Sequence, residues 1–542
     1  MGVFTMVYKN KLAILLCTVL LILTSCSGSD DKASKDTGDD DPNFNETGMP
    51  IMDEAITMDV FAGTSAQTIQ SDCNDILIWN EYKDMTNIDV KWNQVSPDAL
   101  EEKRNLALAS GDLPDIFYAA SISSLDLLKY GEQGVFIPLN DLIDKYAPNL
   151  KALLEENPEV EKALTFPDGN IYSLPNMADP DFISLRVGGT PWFNEEWLDA
   201  LDMDIPQTTD EFYEYLKAVK TEDPNGNGEN DEVPYGGNDI NNFIHWIQGS
   251  FGINTRGGGY IDADPQNDEM RFVPTTDGYK EMLTYLNKLY SEGLIEQNIF
   301  SIDWNQYLSN ASEEKYGSTV FWSPDVTFAG GTGEKYESGY ALEGPNGDKL
   351  FAGLSSVVTN RGQFVITKEN ENPAAAIRWI DYFYGDDGSK LMYMGMEGET
   401  YEKNDDGYQY MDKITNSEEG LTSNQEVSKY LTWVGVGPPA IVKQDYFVGS
   451  ESAPSALEAA DKLEPNLPEE VWPAFTYTEE ENKKLTSVGS DIEKYVDEMR
   501  DKFITGDASL SEWDKYVQTL EKMGLDDYMD IQKEALKRYE DN

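Results

Sequence analysis

An early alternation between two hydrophobic periods most constrains what this chain can fold into. Over residues 56–62 (ITMDVFA), Ile56, Met58 and Val60 alternate with other residues at the period of a half-buried strand. Residues 71–85 change to a helical period, with Ile76, Leu77 and the Trp79 to Tyr82 stretch in the apolar stripe. Strand alternation returns at Ile88, Val90 and Trp92. Ser96 and Pro97 then open a helix that runs through Leu100, Leu106 and Leu108 and stops at Gly111. Residues 115–119 read as a third strand. Strands in such an order are joined by long helical crossovers, so they pair in parallel and carry helices on their faces. The predicted fold class is therefore α/β.

The chain ahead of this body is processing and tether. Lys9 and Lys11 give a positive start, and residues 12–23 (LAILLCTVLLIL) are apolar. That run is short for a permanent membrane span, which needs about 20 residues, and it suits a signal peptide over residues 1–25. Leu23-Thr24-Ser25-Cys26 resembles the bacterial lipobox, in which the cysteine is acylated and becomes the new N-terminus. The resemblance implies a lipid anchor on Cys26 and a place at the outer face of the cytoplasmic membrane. Residues 26–54, rich in Ser, Gly, Asp and Lys, are expected to be a disordered acidic tether.

Charge narrows the partners. Lys and Arg number 41 against 100 Asp and Glu, a formal net charge of −59. Nucleic acid requires a basic footprint, which disfavours it as a partner of this chain, and a neutral or cationic ligand is favoured. Of three cysteines, Cys17 falls in the signal peptide, Cys26 in the lipobox, and Cys73 is left as a small core residue without a disulfide partner. His245 is the single histidine, which removes His-clustered zinc sites and leaves a Ser-His-Asp triad without a supporting motif. No nucleophile elbow, phosphate loop or dinucleotide fingerprint is present, and no catalytic residue is assigned.

Three motifs carry a family resemblance. Residues 106–116 (LALASGDLPDI) resemble the helix–turn–strand signature of extracellular solute-binding proteins of ABC importers, the maltodextrin-binding type. Residues 192–201 (WFNEEWLDAL) followed by 205–212 (IPQTTDEF) resemble a second block of that family, and 372–384 (NPAAAIRWIDYFY) a third. The resemblance runs from about residue 55 to 540. It implies a periplasmic-binding-protein-like fold: two α/β lobes joined by crossing hinge strands, with the ligand cleft between them. The expected lobes are residues 55–170 plus 316–370, and residues 171–315 plus 371–542. The resemblance also implies a monomeric substrate-binding subunit that closes on an oligosaccharide and delivers it to ABC permease subunits. The alternatives are a binder of peptides or other small solutes, a secreted glycoside hydrolase, and a surface receptor. Independently of family, Thr208 and Glu211 make a capping box, followed by Phe212, Tyr215, Leu216 and Val219 at helical spacing.

Residues 223–232 (DPNGNGENDE) open like an EF-hand loop. Asp223, Asn225 and Asn227 offer oxygens at positions 1, 3 and 5, Gly228 allows the sharp turn, and Glu229 offers its backbone carbonyl. Pro234 stands where the EF-hand places its bidentate glutamate, so Asp231 and Glu232 are expected to close the cage. A similar loop holds structural calcium in the alginate-oligosaccharide binders of the family, and this resemblance implies a structural Ca2+ here. The other reading is a solvated Asx-Gly turn.

Sugar sites use aromatic faces for apolar C–H patches and polar side chains for the hydroxyl rim. Aromatic residues in Gly- or Pro-rich surroundings are the candidate platforms: Trp192, Trp246, Trp322 and Trp433. Arg186 lies in the expected crossing segment, where it holds hydroxyls or a carboxylate, or pairs with a neighbouring acid. Asp179 and Asp325 are rim candidates. Trp379, in a helical apolar stripe, is expected in the core.

Overall fold

The computed structural model describes residues 41–256, 259–265, 267–404, 407–434 and 437–542. The signal peptide, Cys26 and most of the expected tether lie outside the described residues. Strands form at β1 (Ile56–Gly63), β2 (Ile88–Val95), β3 (Ile116–Tyr118), β4 (Leu174–Ala178), β5 (Thr190–Asn194), β6 (Val233–Tyr235), β7 (Ile261–Ala263), β8 (Met270–Phe272), β9 (Tyr316–Phe321), β10 (Tyr336–Ser338), β11 (Val358–Ile366), β12 (Tyr401–Asn404), β13 (Gly407–Tyr410) and β14 (Ile441–Val442).

These strands build two α/β lobes. The first has a six-stranded sheet in the order β14-β4-β11-β3-β1-β2. Its β1 lies between β2 and β3 and is parallel to both, as the opening alternation requires. Strand β11 runs antiparallel between β3 and β4. Period-two alternation sends Met58, Val60 and Ala62 to one apolar layer and Phe61 to the other. The second lobe has a four-stranded sheet, β10-β5-β9-β6, in which β9 and β6 are parallel. Its core is built largely from helices, including Thr209–Glu222, which carries the expected capping box and buries Phe212, Tyr215, Leu216 and Val219. Among the described residues, no helix is long and apolar enough to cross a membrane.

The lobe boundaries differ from those expected. Residues 316–354 belong with the second lobe: β9 and β10 join its sheet, and Leu342, Phe351 and Leu354 join its core. Residues 171–182 belong with the first lobe, through β4 and Phe182. So does the stretch from helix Pro373–Asp381 to Tyr446, including Trp379, which is buried as expected. Sheet membership is fixed by pairing between distant segments, which no local pattern records. The chain therefore crosses near 182–187, 354–357 and 447–454.

Residues 41–54 also depart from the expected tether. Ile51 and Met52 are fully buried in the first core, and Phe44 packs edge-on against Tyr146 at 5.4 Å. The Arg378 guanidinium donates to the carbonyls of Asn45 and Gly48. A short apolar pair in a polar stretch is enough to dock the segment once a groove exists for it.

Beyond the crossings, the C-terminal helices touch both lobes. Leu525 and Tyr528 lie in the second core, while the Glu540 carbonyl accepts from Lys162 of the first lobe at 3.0 Å. The buried Arg361 on β11 donates to the Ala163 carbonyl, the Ser124 hydroxyl and the Ala474 carbonyl at 2.7, 2.9 and 2.5 Å. One guanidinium thus ties the first lobe to the segment entering the C-terminal helices.

Candidate functional site

Ligands of open α/β sheets settle outside the carboxyl ends of parallel strands. In the second lobe that edge is where β6 and β9 end and β5 begins, beside the crossing segments. A recess of about 260 Å³ lies there. Its wall is formed by the crossing backbone at Val187 to Gly189 and Ala352 to Ser355, with Asn242, His245, Thr255 and Trp322 facing in. Asn242 and His245 are one turn apart on helix Ile240–Ile247, whose opposite face buries Phe243, Trp246 and Ile247. His245 stays exposed at the mouth of the recess, and the protein packed around it lowers its pKa against the pull of Asp239, with Arg500 adding to the drop. A neutral imidazole there has one nitrogen to donate and one to accept. Thr255 is held by the Gln248 amide, which donates to its hydroxyl at 3.1 Å. The lining mixes one indole, aliphatic side chains and neutral polar groups and holds no Asp, Glu, Lys or Arg, which suits a neutral polyhydroxylated solute.

The tryptophan candidates separate. Trp322 lines the recess and is 37% exposed. Trp192 is 2% exposed on β5, and its indole N–H donates to the Phe321 carbonyl at 2.9 Å, so it is core. Trp246, 1% exposed, packs on Phe212 with ring centroids 4.9 Å apart and is core too. Both were expected as platforms from their Gly and Pro neighbours, but their own elements turn them inward. Trp433 is half-buried on the first lobe, resting on Tyr393 and Phe447. Arg186 lies in a short helix, Ile183–Val187, rather than a strand. Its guanidinium donates to the carbonyls of Ser355 and Pro180 at 3.1 and 3.0 Å, and its own carbonyl accepts from Ser355 N–H. It fastens two crossing segments together.

The 223–232 loop has a second geometry. Asp223 ends helix Thr209–Glu222 in the left-handed conformation, and one of its oxygens accepts from Gly228 N–H at 3.0 Å. Gly228 has φ +80°, which a side chain rarely adopts. The amides of Asn227 and Asn225 donate to one Asp231 oxygen at 3.0 and 3.4 Å. Asp223 Oδ1 and both Glu232 oxygens are buried without a hydrogen-bond partner. Burial raises the Glu232 pKa, and the Asp231 and Asp223 charges raise it further. Among the described residues, no group of three His, Cys, Asp or Glu side chains converges as a metal cluster. The oxygens here come from two asparagines as well as carboxylates. Unpartnered buried carboxylate oxygens that repel one another are what a hard, oxygen-seeking cation relieves. The Glu229 side chain is exposed, so only its backbone carbonyl is available.

Residues 75–390 match the family model of the bacterial extracellular solute-binding proteins. The chain belongs to that family. This solute-binding protein is 32% identical over 548 residues to the fructooligosaccharide ABC transporter substrate-binding protein FusA of Streptococcus pneumoniae, covering 98% of each chain. The solved structure of S. pneumoniae FusA in complex with kestose superposes with a TM-score of 0.71 at 29% identity, covering 90% of this chain and 100% of that one. An EF-hand mutant of FusA in complex with fructo-nystose gives 0.70 at the same identity and coverage. The alginate-binding protein AlgQ2, solved without calcium ion, shares the fold at 24% identity and a TM-score of 0.68, covering 90% of this chain and 99% of that one.

Sequence reasoning missed His245, Asn242 and Thr255 in the solute-binding protein's recess. A helical reading of INNFIHWI puts Asn242 and His245 on its polar face, a signal that was available. The backbone wall at Gly188, Gly189 and Gly353 has no such local signal.

Proposed function

We propose that this chain is the lipid-anchored, extracellular substrate-binding subunit of an ABC importer, and that it captures a neutral oligosaccharide, fructooligosaccharides first among them. The observation that carries the reading is the likeness to FusA over almost the whole of both chains. The uncharged, Trp322-bearing recess at the crossing segments supports it. Trp322 supplies an apolar face, while Asn242, His245 and Thr255 supply donors and acceptors for hydroxyls. The lobes close over the sugar by flexing at the three crossings, and the closed form is what permease subunits accept. The protein acts as a monomer and performs no chemistry on its ligand. Cys26, acylated, holds it at the outer face of the bacterial cytoplasmic membrane.

In the same reading the 223–232 loop holds a structural Ca2+ through Asp223, Asn225, Asn227, Asp231, Glu232 and the Glu229 carbonyl. The ion supplies positive charge to a cluster that otherwise repels itself, and it fixes the link between helix Thr209–Glu222 and β6.

Titration calorimetry of the purified chain with kestose, fructo-nystose, maltodextrins and short peptides tests the proposal. Saturable binding of a fructan, recovered intact afterwards, is expected. Binding of peptides alone, or recovery of cleaved glycan, contradicts it.

A further inference from the structure

We propose that Trp304 is an outer sugar platform which makes this protein select longer chains over the short ones its recess can hold. The inference rests on reading the cleft as an oligosaccharide site. Trp304 is 42% exposed and Trp322 37% exposed, and both rings flank the buried Phe321 at the end of β9. Ring centroids are 5.6 Å apart for Trp304 and Phe321, and 5.0 Å apart for Phe321 and Trp322. The two exposed indoles therefore lie within two ring-to-ring steps of each other.

The placement of Trp304 is set by its helix, Trp304–Ser312. The Asp303 carboxylate caps that helix by accepting from Gln306 N–H at 3.0 Å, so Trp304 is its first residue. Inward, Tyr307 of the same helix packs on Phe321 at 5.9 Å and anchors it. Trp304 is thus a fixed, half-open ring at the ligand edge of the sheet. Clustered exposed aromatic surface is unfavourable in water and marks a place that something covers. Trp322 belongs to the recess wall, and Trp304 lies beyond it, across the buried Phe321, at the same end of the sheet. Just after Trp322 in the chain, the Asp325 carboxylate accepts from the hydroxyls of Ser455 at 2.8 Å and Ser323, a polar cluster that can serve sugar hydroxyls. With a chain charge of −59, the occupant is the continuation of a neutral glycan rather than an acidic one.

The test compares affinities of the full chain, purified in detergent, for kestose, fructo-nystose and longer inulin-type fructans. Wild-type affinity should rise with chain length. Trp304→Ala should flatten that rise, losing about fivefold to tenfold on the longest fructan and less than about twofold on kestose, as one stacking contact implies. Trp304→Phe should restore most of the rise. An equal loss at every length, or none, overturns the outer platform while leaving the cleft reading intact. Unchanged binding with lost uptake in cells assigns the surface to the permease and also overturns it. Failure of the wild-type chain to bind any fructan overturns the fructan reading and the platform together.

Discussion

Replacing Arg361 by methionine should destabilise the protein by about 2 kcal/mol and loosen the contact between its first lobe and its C-terminal helices. Arg361 is 8% exposed, and burial pushes its pKa down to about 10 from an ordinary 12.5. Holding the charge there costs about 3 kcal/mol at neutral pH. Three charge-assisted hydrogen bonds, to Ala163, Ser124 and Ala474, offset that cost at about 1.5–3 kcal/mol each. Methionine keeps the bulk, removes the charge and leaves the buried Ala163 carbonyl unpartnered, at about 1–3 kcal/mol, while the carbonyl of the exposed Ala474 can turn to water. The hydroxyl of Ser124 can turn elsewhere. Arg361→Lys should fall between, because an ammonium cannot reach three acceptors with fork geometry. Urea denaturation gives the stability change, and hydrogen exchange over residues 472–478 gives the local one, with protection there falling in the variant. A methionine variant as stable as the wild type, with exchange unchanged, refutes the account.

Three further outcomes are expected. Chelation, or Asp223→Asn, should lower the melting temperature. Calcium at a hundredfold excess over its dissociation constant should restore about 2.7 kcal/mol to the wild type, and no calcium dependence of melting contradicts the loop assignment. Without calcium, the raised pKa of Glu232 means the folded chain binds a proton more readily than the unfolded one, so stability should fall as pH rises through that group's folded value. Asp381 behaves the same way on a firmer scale: burial raises it to about 6 despite donors from Leu150 and Asn149, so wild-type stability should drop by about 2–3 kcal/mol between pH 4 and pH 6. Asp381→Asn should lack that drop in a pH series of denaturation curves. Trp322→Ala should weaken glycan binding at least about tenfold with little change in melting, since the ring is 37% exposed.

What was legible in the sequence was local. The β1 to β3 alternation came out in order, although the first helix is later than expected: Cys73–Asp75 is a separate turn and the helix proper is Leu77–Thr86. The thiol of Cys73 is buried there, its pKa pushed up to about 12 by burial and the nearby Asp72 charge. The capping box at Thr208 and the burial of Trp379 were likewise visible, since spacing along one element decides both. Trp192 and Trp246 were misplaced because their Gly and Pro neighbours suggested loops. Their own alternation and helical spacing would have turned them inward. The lobe boundaries had no local trace at all: β9 and β11 are both largely buried strands, and only long-range pairing sends one to each sheet.

That pairing has a consequence for how the protein comes into being. The first sheet begins with β1 at residue 56 but is not complete until β14 at residue 441, and the second core waits for Tyr528. A chain synthesised from its N-terminus therefore has no finished lobe until nearly all of it exists. Closing such distant partners is slow. The interleaved order therefore postpones the closure of both cores to the late part of the sequence.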